Sequence, residues 1–190
     1  DISRIAAHKE AGVLQPIKSE KLNANIPSHF RDPAGEWFGL SARSRVIFYS
    51  KDRVKPSELS TYENLADPKW KGRICTRSGR HVYTIGLISS MVAEHGAEWT
   101  EKWLAGLKAN LARKPQGNDR AQVRAVKEGE CDLALGNSYY YGKMLTNDEQ
   151  RPWAEAVNIL FPNQGDRGAH VNVSGMALTK YSRNKVAATK

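Results

Sequence analysis

Hydrophobic and polar positions follow two periods along this chain. Ile2, Ile5 and Ala6 recur at helical spacing over residues 1–11, and Gly12 stops that run. "IPSHFRDPAGEWFG" is broken by two prolines and two glycines and reads as a loop. "RVIFYS" (45–50), rich in β-branched and aromatic residues, predicts a strand. "LADPKWKGR" predicts a turn that leads into a short strand, "RICTR" (73–77). A helix is predicted over 82–94, ended by Gly96, and another over 97–111 with Trp99, Trp103 and Leu107 on one side. Asn118 should cap a third, "DRAQVRAVKEG", which ends at Gly129. There follow a strand "CDLAL" (131–135), a helix from Ser138, and the strands "VNILF" and "HVNVSGMALTK". Strands alternating with helices predict an α/β chain with a mainly parallel sheet. Ligands of such sheets bind beyond the carboxyl ends of strands, where helices start. That rule singles out two loops, "TRSGRHVYT" and "GNSYYYG".

Composition narrows the function classes. The 190 residues can bury one good-sized core or two small lobes, and no apolar run approaches the roughly 18 residues that span a bilayer. The net charge of +9, from 29 Lys and Arg against 20 Asp and Glu, would suit nucleic acid, acidic lipid or an anionic ligand. Those basic residues are spread along the chain without an Arg-rich block or recognition-helix pattern, so a solvated basic surface is favoured over nucleic-acid binding. No Ser-His-Asp order, Gly-rich phosphate loop or His-rich metal motif supports an enzyme. His8, His29, His81, His95 and His170 are scattered, and Trp37, Trp70, Trp99, Trp103 and Trp153 read as core or lobe-packing residues. The chain opens on a helix already under way and stops at "SRNKVAATK", which reads like the start of another. It is expected to be a piece of a longer protein lacking both ends, and the absence of a leader then says nothing of location. Two cysteines are too few for a zinc site. Cys75 and Cys131 are either inert core thiols or one disulfide, the latter implying an oxidising compartment.

The tyrosines carry the candidate chemistry. Cys75 precedes Tyr83 by eight residues and Cys131 precedes Tyr139 by eight, so two strand-loop-helix units match in length. Neighbouring strands would then open both loops on one sheet edge, with Tyr83, Tyr139 and Tyr140 on a common rim. A phenol at a helix start meets the positive end of the helix dipole, which favours the phenolate. Tyrosine ordinarily titrates near pH 10, so a dipole alone cannot ionise it at neutral pH. A hard trivalent cation can, because binding displaces protons from oxygen ligands. The alternative is plain packing, since each ring buries roughly 150 Å² or more. Successive helical side chains diverge by about 100°, so three tyrosines in a row cannot all face one core. Tyr141 is the candidate for packing; Tyr139 and Tyr140 are the candidates for ligands.

"WFGLSARSRVIFYS", "LADPKWKGRICTRSG", "VRAVKEGECDLALGNSYYYG" and "RGAHVNVSGMALTK" together resemble, in order, the periplasmic ferric-iron-binding proteins of bacterial ABC transporters. The resemblance implies the class II periplasmic binding-protein fold, two α/β lobes joined by hinge strands, with the first lobe incomplete. Residues 1–45 would be part of lobe one, 46–169 lobe two, and 170–190 a hinge strand returning to lobe one. It implies Tyr83, Tyr139 and Tyr140 as ferric ligands, and Arg43 of "SARSR" as the residue holding carbonate or another synergistic anion, with Arg45 the neighbour easily confused with it. It further implies a monomeric periplasmic protein, not an enzyme, that delivers Fe³⁺ to an inner-membrane permease. The family's N-terminal strand, often the source of a further His or Tyr ligand, is missing here. The rival within the fold is a binding protein for a small organic anion or polyamine.

Overall fold

Helices and strands alternate through residues 1–189, which the computed structural model describes. The chain begins with α1 (Ile2–Glu10), β1 (Leu14–Gln15), α2 (Glu20–Asn25) and the long β2 (Phe38–Ser50). Short 3₁₀ turns then lead to β3 (Ile74–Cys75), α3 (Val82–His95), α4 (Ala97–Ala109) and α5 (Asp119–Lys127). After these come β4 (Leu133–Asn137), α6 (Tyr139–Leu145), α7 (Arg151–Glu155) and β5 (Val157–Leu160), and last β6 (Val171–Met176), β7 (Leu178–Thr179) and α8 (Lys185–Ala188). Two compact units result: residues 1–43 with those from 171 on, and residues 44–170.

In the first unit β1 pairs antiparallel with β7, and β6 pairs with β2. Gly175 of β6 admits a close neighbour there: a Cβ would stand 2.8 Å from both the Ile5 side chain of α1 and the Phe38 carbonyl. The backbone of Ile2 also donates to Asn172 Oδ1 at 3.2 Å, which fixes the start of α1 on the strand.

The second unit is built on a sheet in the order β3-β4-β2-β5. Only β3 and β4 run parallel; β2 is antiparallel to both β4 and β5. The expectation of a mainly parallel sheet is therefore corrected to a mixed one. The reason lies in the connections. Helices α3 to α5 form the crossover that parallel neighbours need, whereas β2 reaches β3 through turns alone. Both faces of the sheet are covered. Ile47, Tyr49, Leu133 and Leu135 join Trp70, Leu87, Met91 and Trp103 in one cluster; Val46, Phe48 and Ala134 join Val123, Val126 and Met144 in the other. Alternate residues of β2 thus serve opposite cores, which is why "RVIFYS" is an unbroken apolar run. Trp103 and Leu107 face the core as the helical spacing predicts, but Trp99 is 37% exposed and stacks on His95 with ring centres 4.0 Å apart. Of its reading as a core or lobe-packing residue, the core part is corrected: it stands partly exposed in the first turn of α4.

Cys75 and Cys131 form a disulfide with Cα atoms 5.9 Å apart, buried against the second cluster. Gly136, near the end of β4, is required for space. A Cβ there would stand 2.5 Å from Phe48 Cε2 and 3.5 Å from the Cβ of Asp119, both in the interior. We expect Gly136→Ala to lower stability by about 1–3 kcal/mol through overpacking, measured by urea unfolding; a variant as stable as the parent would show that Phe48 yields.

Candidate metal centre

The two loops chosen from the sequence lie at the carboxyl ends of β3 and β4, the parallel pair, so both open on the same edge of the sheet. After β3 the chain turns into α3, where the His81 ring accepts the backbone N–H of Tyr83 at 3.2 Å and caps the helix. After β4, Ser138 leads into α6, which starts with Tyr139 and Tyr140. The two loops differ in length, since β3 ends at Cys75 and β4 ends at Asn137, but both follow adjacent parallel strands, and the phenols meet on their common edge. The Tyr83 and Tyr139 hydroxyls are 3.4 Å apart, and the Tyr139 and Tyr140 ring centres 4.3 Å apart. Tyr139 is 36% exposed, while Tyr83 and Tyr140 are half-buried. Tyr141 turns the other way, stacking near Phe48 at 6.3 Å and packing on the inner cluster. Tyr140 touches that cluster too, so it combines packing with a place on the rim.

The electrostatics of the rim are one-sided. Arg77 and Arg45 lie over the Tyr83 ring at 5.0 and 5.9 Å, Lys143 over Tyr139 at 5.3 Å, and Arg120 over Tyr140 at 5.0 Å. Burial, and then the hydroxyls of Tyr140 and Tyr83, push the Tyr139 phenol above the ordinary tyrosine value. Without a metal it is therefore neutral at neutral pH. Among the described residues no group of three or more His, Cys, Asp or Glu side chains is placed to hold a metal ion.

Beneath the rim is a charged group the sequence reading did not single out. Asp119, fully buried at the start of α5, accepts Arg45 Nη1 at 2.7 Å and the Asn137 backbone N–H at 2.8 Å on one carboxylate oxygen. Its other oxygen accepts Arg77 Nη1 at 2.9 Å. Arg45 also donates to Asn137 Oδ1 at 3.1 Å. Burial pulls the Arg45 guanidinium below its ordinary value, and Asp119 works against that shift. The signal available in the sequence was weak: Asp119 directly follows the Asn118 cap, where an acidic residue has an ordinary helix-dipole explanation. Arg43 belongs to the first unit, nine-tenths buried, with its guanidinium bonded to the Asp1 carboxylate and to Ser174 Oγ.

The sequence profile of the family described as bacterial extracellular solute-binding protein matches residues 3–190. Iron uptake protein A1 of Synechocystis is 49% identical across all of this chain, which spans 53% of that protein. Apo ferric ion-binding protein A of Pasteurella haemolytica superposes with a TM-score of 0.95 at 51% identity, over 99% of this chain and 59% of its own. A Trichodesmium protein solved with iron and citrate ligands superposes with a TM-score of 0.92 at 47% identity, over 97% of this chain and 59% of its own. The chain thus spans little more than half the length of these relatives. With its sheet order, its match from residue 3 onward and these superpositions, the chain has the class II periplasmic binding-protein fold and belongs to the bacterial extracellular solute-binding protein family.

Proposed function

We propose that this protein captures ferric iron outside the cytoplasm through the phenolate oxygens of Tyr83, Tyr139 and Tyr140, and delivers it to the permease of an ABC transporter. The observation that carries this reading is the convergence of the three phenols on one rim, with Tyr83 and Tyr139 hydroxyls 3.4 Å apart. Fe³⁺ is hard and prefers oxygen donors, and three phenolates cancel its charge. The relatives named for iron uptake and ferric binding support the same cargo. Capture needs no catalysis, and the protein acts in this reading as a monomer in the periplasm.

Cations over all three rings favour an anion beside the metal. Arg43 keeps its proposed role as the residue that binds carbonate or a similar oxyanion. A forked guanidinium suits a planar oxyanion, and the Asp1 carboxylate on it is of that chemical type. The relative solved in complex with iron and citrate ligands supports an organic anion accompanying the metal. The same cations favour, as the second reading, a small organic anion without iron, and they disfavour a polyamine.

Ferric ion added to the protein should produce a visible phenolate-to-iron charge-transfer band with release of protons. Acid should bleach that band, because protons compete with the metal for the phenol oxygens. A colourless protein whose melting temperature rises with citrate alone would overturn the ferric reading in favour of the organic anion.

A further inference from the structure

Asp119, Arg45 and Arg77 place three charges in or near the interior, with side chains 0%, 2% and 12% exposed. Burying charges destabilises a fold relative to apolar filling of the same space. Their placement points to a different use. Both guanidiniums lie against one ring, that of Tyr83, and the carboxylate between them also holds the backbone of Asn137. Asn137 is the last residue of β4 and stands two positions before Tyr139. One buried carboxylate therefore ties both tyrosine-bearing loops, and two cations against one anion leave a net positive charge behind the Tyr83 ring.

We propose that Asp119, Arg45 and Arg77 form a charged mount for Tyr83, with Arg77 as the positioning residue that sets both its place and its electronic character as an iron ligand. This inference rests on Tyr83 being a ligand. The physical argument is direct. A cation over the face of an aromatic ring attracts its π electrons, and more so when the ring carries a phenolate charge. Charge transfer moves an electron from phenolate to iron. A cation over the face of the ring, as Arg77 is at 5.0 Å from its centre, holds that electron back and raises the transition energy. Arg77 also comes from the same loop as Tyr83, so its bond to Asp119 fixes the approach to α3.

The test is a titration with ferric nitrilotriacetate, following the charge-transfer band, for the parent protein, Arg77→Gln, Arg77→Lys and Asp119→Asn. Arg77→Gln should weaken iron binding by about 10- to 100-fold, as loss of a ligand's outer partner does, and move the band to longer wavelength. Arg77→Lys, which keeps the charge, should leave the band near its parent position. Asp119→Asn removes the anion and should move the band to shorter wavelength, the opposite direction. A purely structural disturbance would not give shifts of opposite sign. Parent-like affinity and band in Arg77→Gln, shifts of the same sign in Arg77→Gln and Asp119→Asn, or failure of both to fold would overturn the inference. No band in the parent protein brings down the ferric reading itself, whereas a parent band with unmoved variants brings down this inference alone.

Discussion

Tyr139→Phe should remove one of the three phenolates, lowering the iron-dependent visible band by roughly a third or more, and weaken ferric binding by more than the about 10- to 100-fold typical of an outer-shell change. Its hydroxyl faces that of Tyr83 at 3.4 Å, and its ring centre is 4.3 Å from that of Tyr140, so it stands centrally in the proposed donor set. The fold should survive. The side chain is more than a third exposed, and surface substitutions usually change stability by only about 0.5 kcal/mol. Tyr141→Phe is the matched control: its ring packs against the inner cluster, and it should keep both band and affinity. Competition against a chelator of known strength, with absorption spectra of both variants, decides the matter. A Tyr139→Phe protein as coloured as the parent would remove the tyrosine-ligand reading.

The second large effect belongs to the disulfide. It closes a segment with a sequence separation of 56, and chain entropy alone assigns such a cross-link about 4 kcal/mol. That is a large share of the roughly 5–15 kcal/mol by which domains are stable. The double substitution Cys75→Ala and Cys131→Ala should therefore lower the melting temperature by roughly 10 °C. Both sulfurs lie against the second core cluster, so some of the loss would also come from packing. An unchanged melting curve would mean that the strands are held by their neighbours and the bridge adds nothing.

Both results bear on how far the sequence could be read. The central strand was plain in "RVIFYS" because burial on two faces leaves no polar interruption; its extension back to Phe38 was not, because "SARSR" carries polar residues. The tyrosine rim was legible because both tyrosine-bearing loops follow parallel neighbouring strands; the equal offsets counted from the cysteines do not survive, since Cys75 pairs with Ala134 and Cys131 lies before β4. The disulfide stayed open beside free thiols because thiol pairing depends on distance in space. The direction of β2 was hidden because nothing in residues 51–72 marks the lack of a crossover helix. Short helices such as α2 and α7 were missed: one rests on a single Ser19 cap, and the other has a proline as its second residue and lasts barely more than a turn. Asp119 was invisible for a different reason. Its partners Arg45, Arg77 and Asn137 come from three separate segments, and only the fold brings them to one carboxylate.

Sheet order has one more consequence. Ile47, Phe48 and Tyr49 are bonded to β4 on one side and to β5 on the other, so this stretch cannot open without breaking two ladders at once. Amide protons there should exchange only on global unfolding, which hydrogen-exchange measurements would check. The strand that ends at the tyrosines is bonded directly to that part of the molecule, so the backbone that carries the phenols is anchored to the central strand.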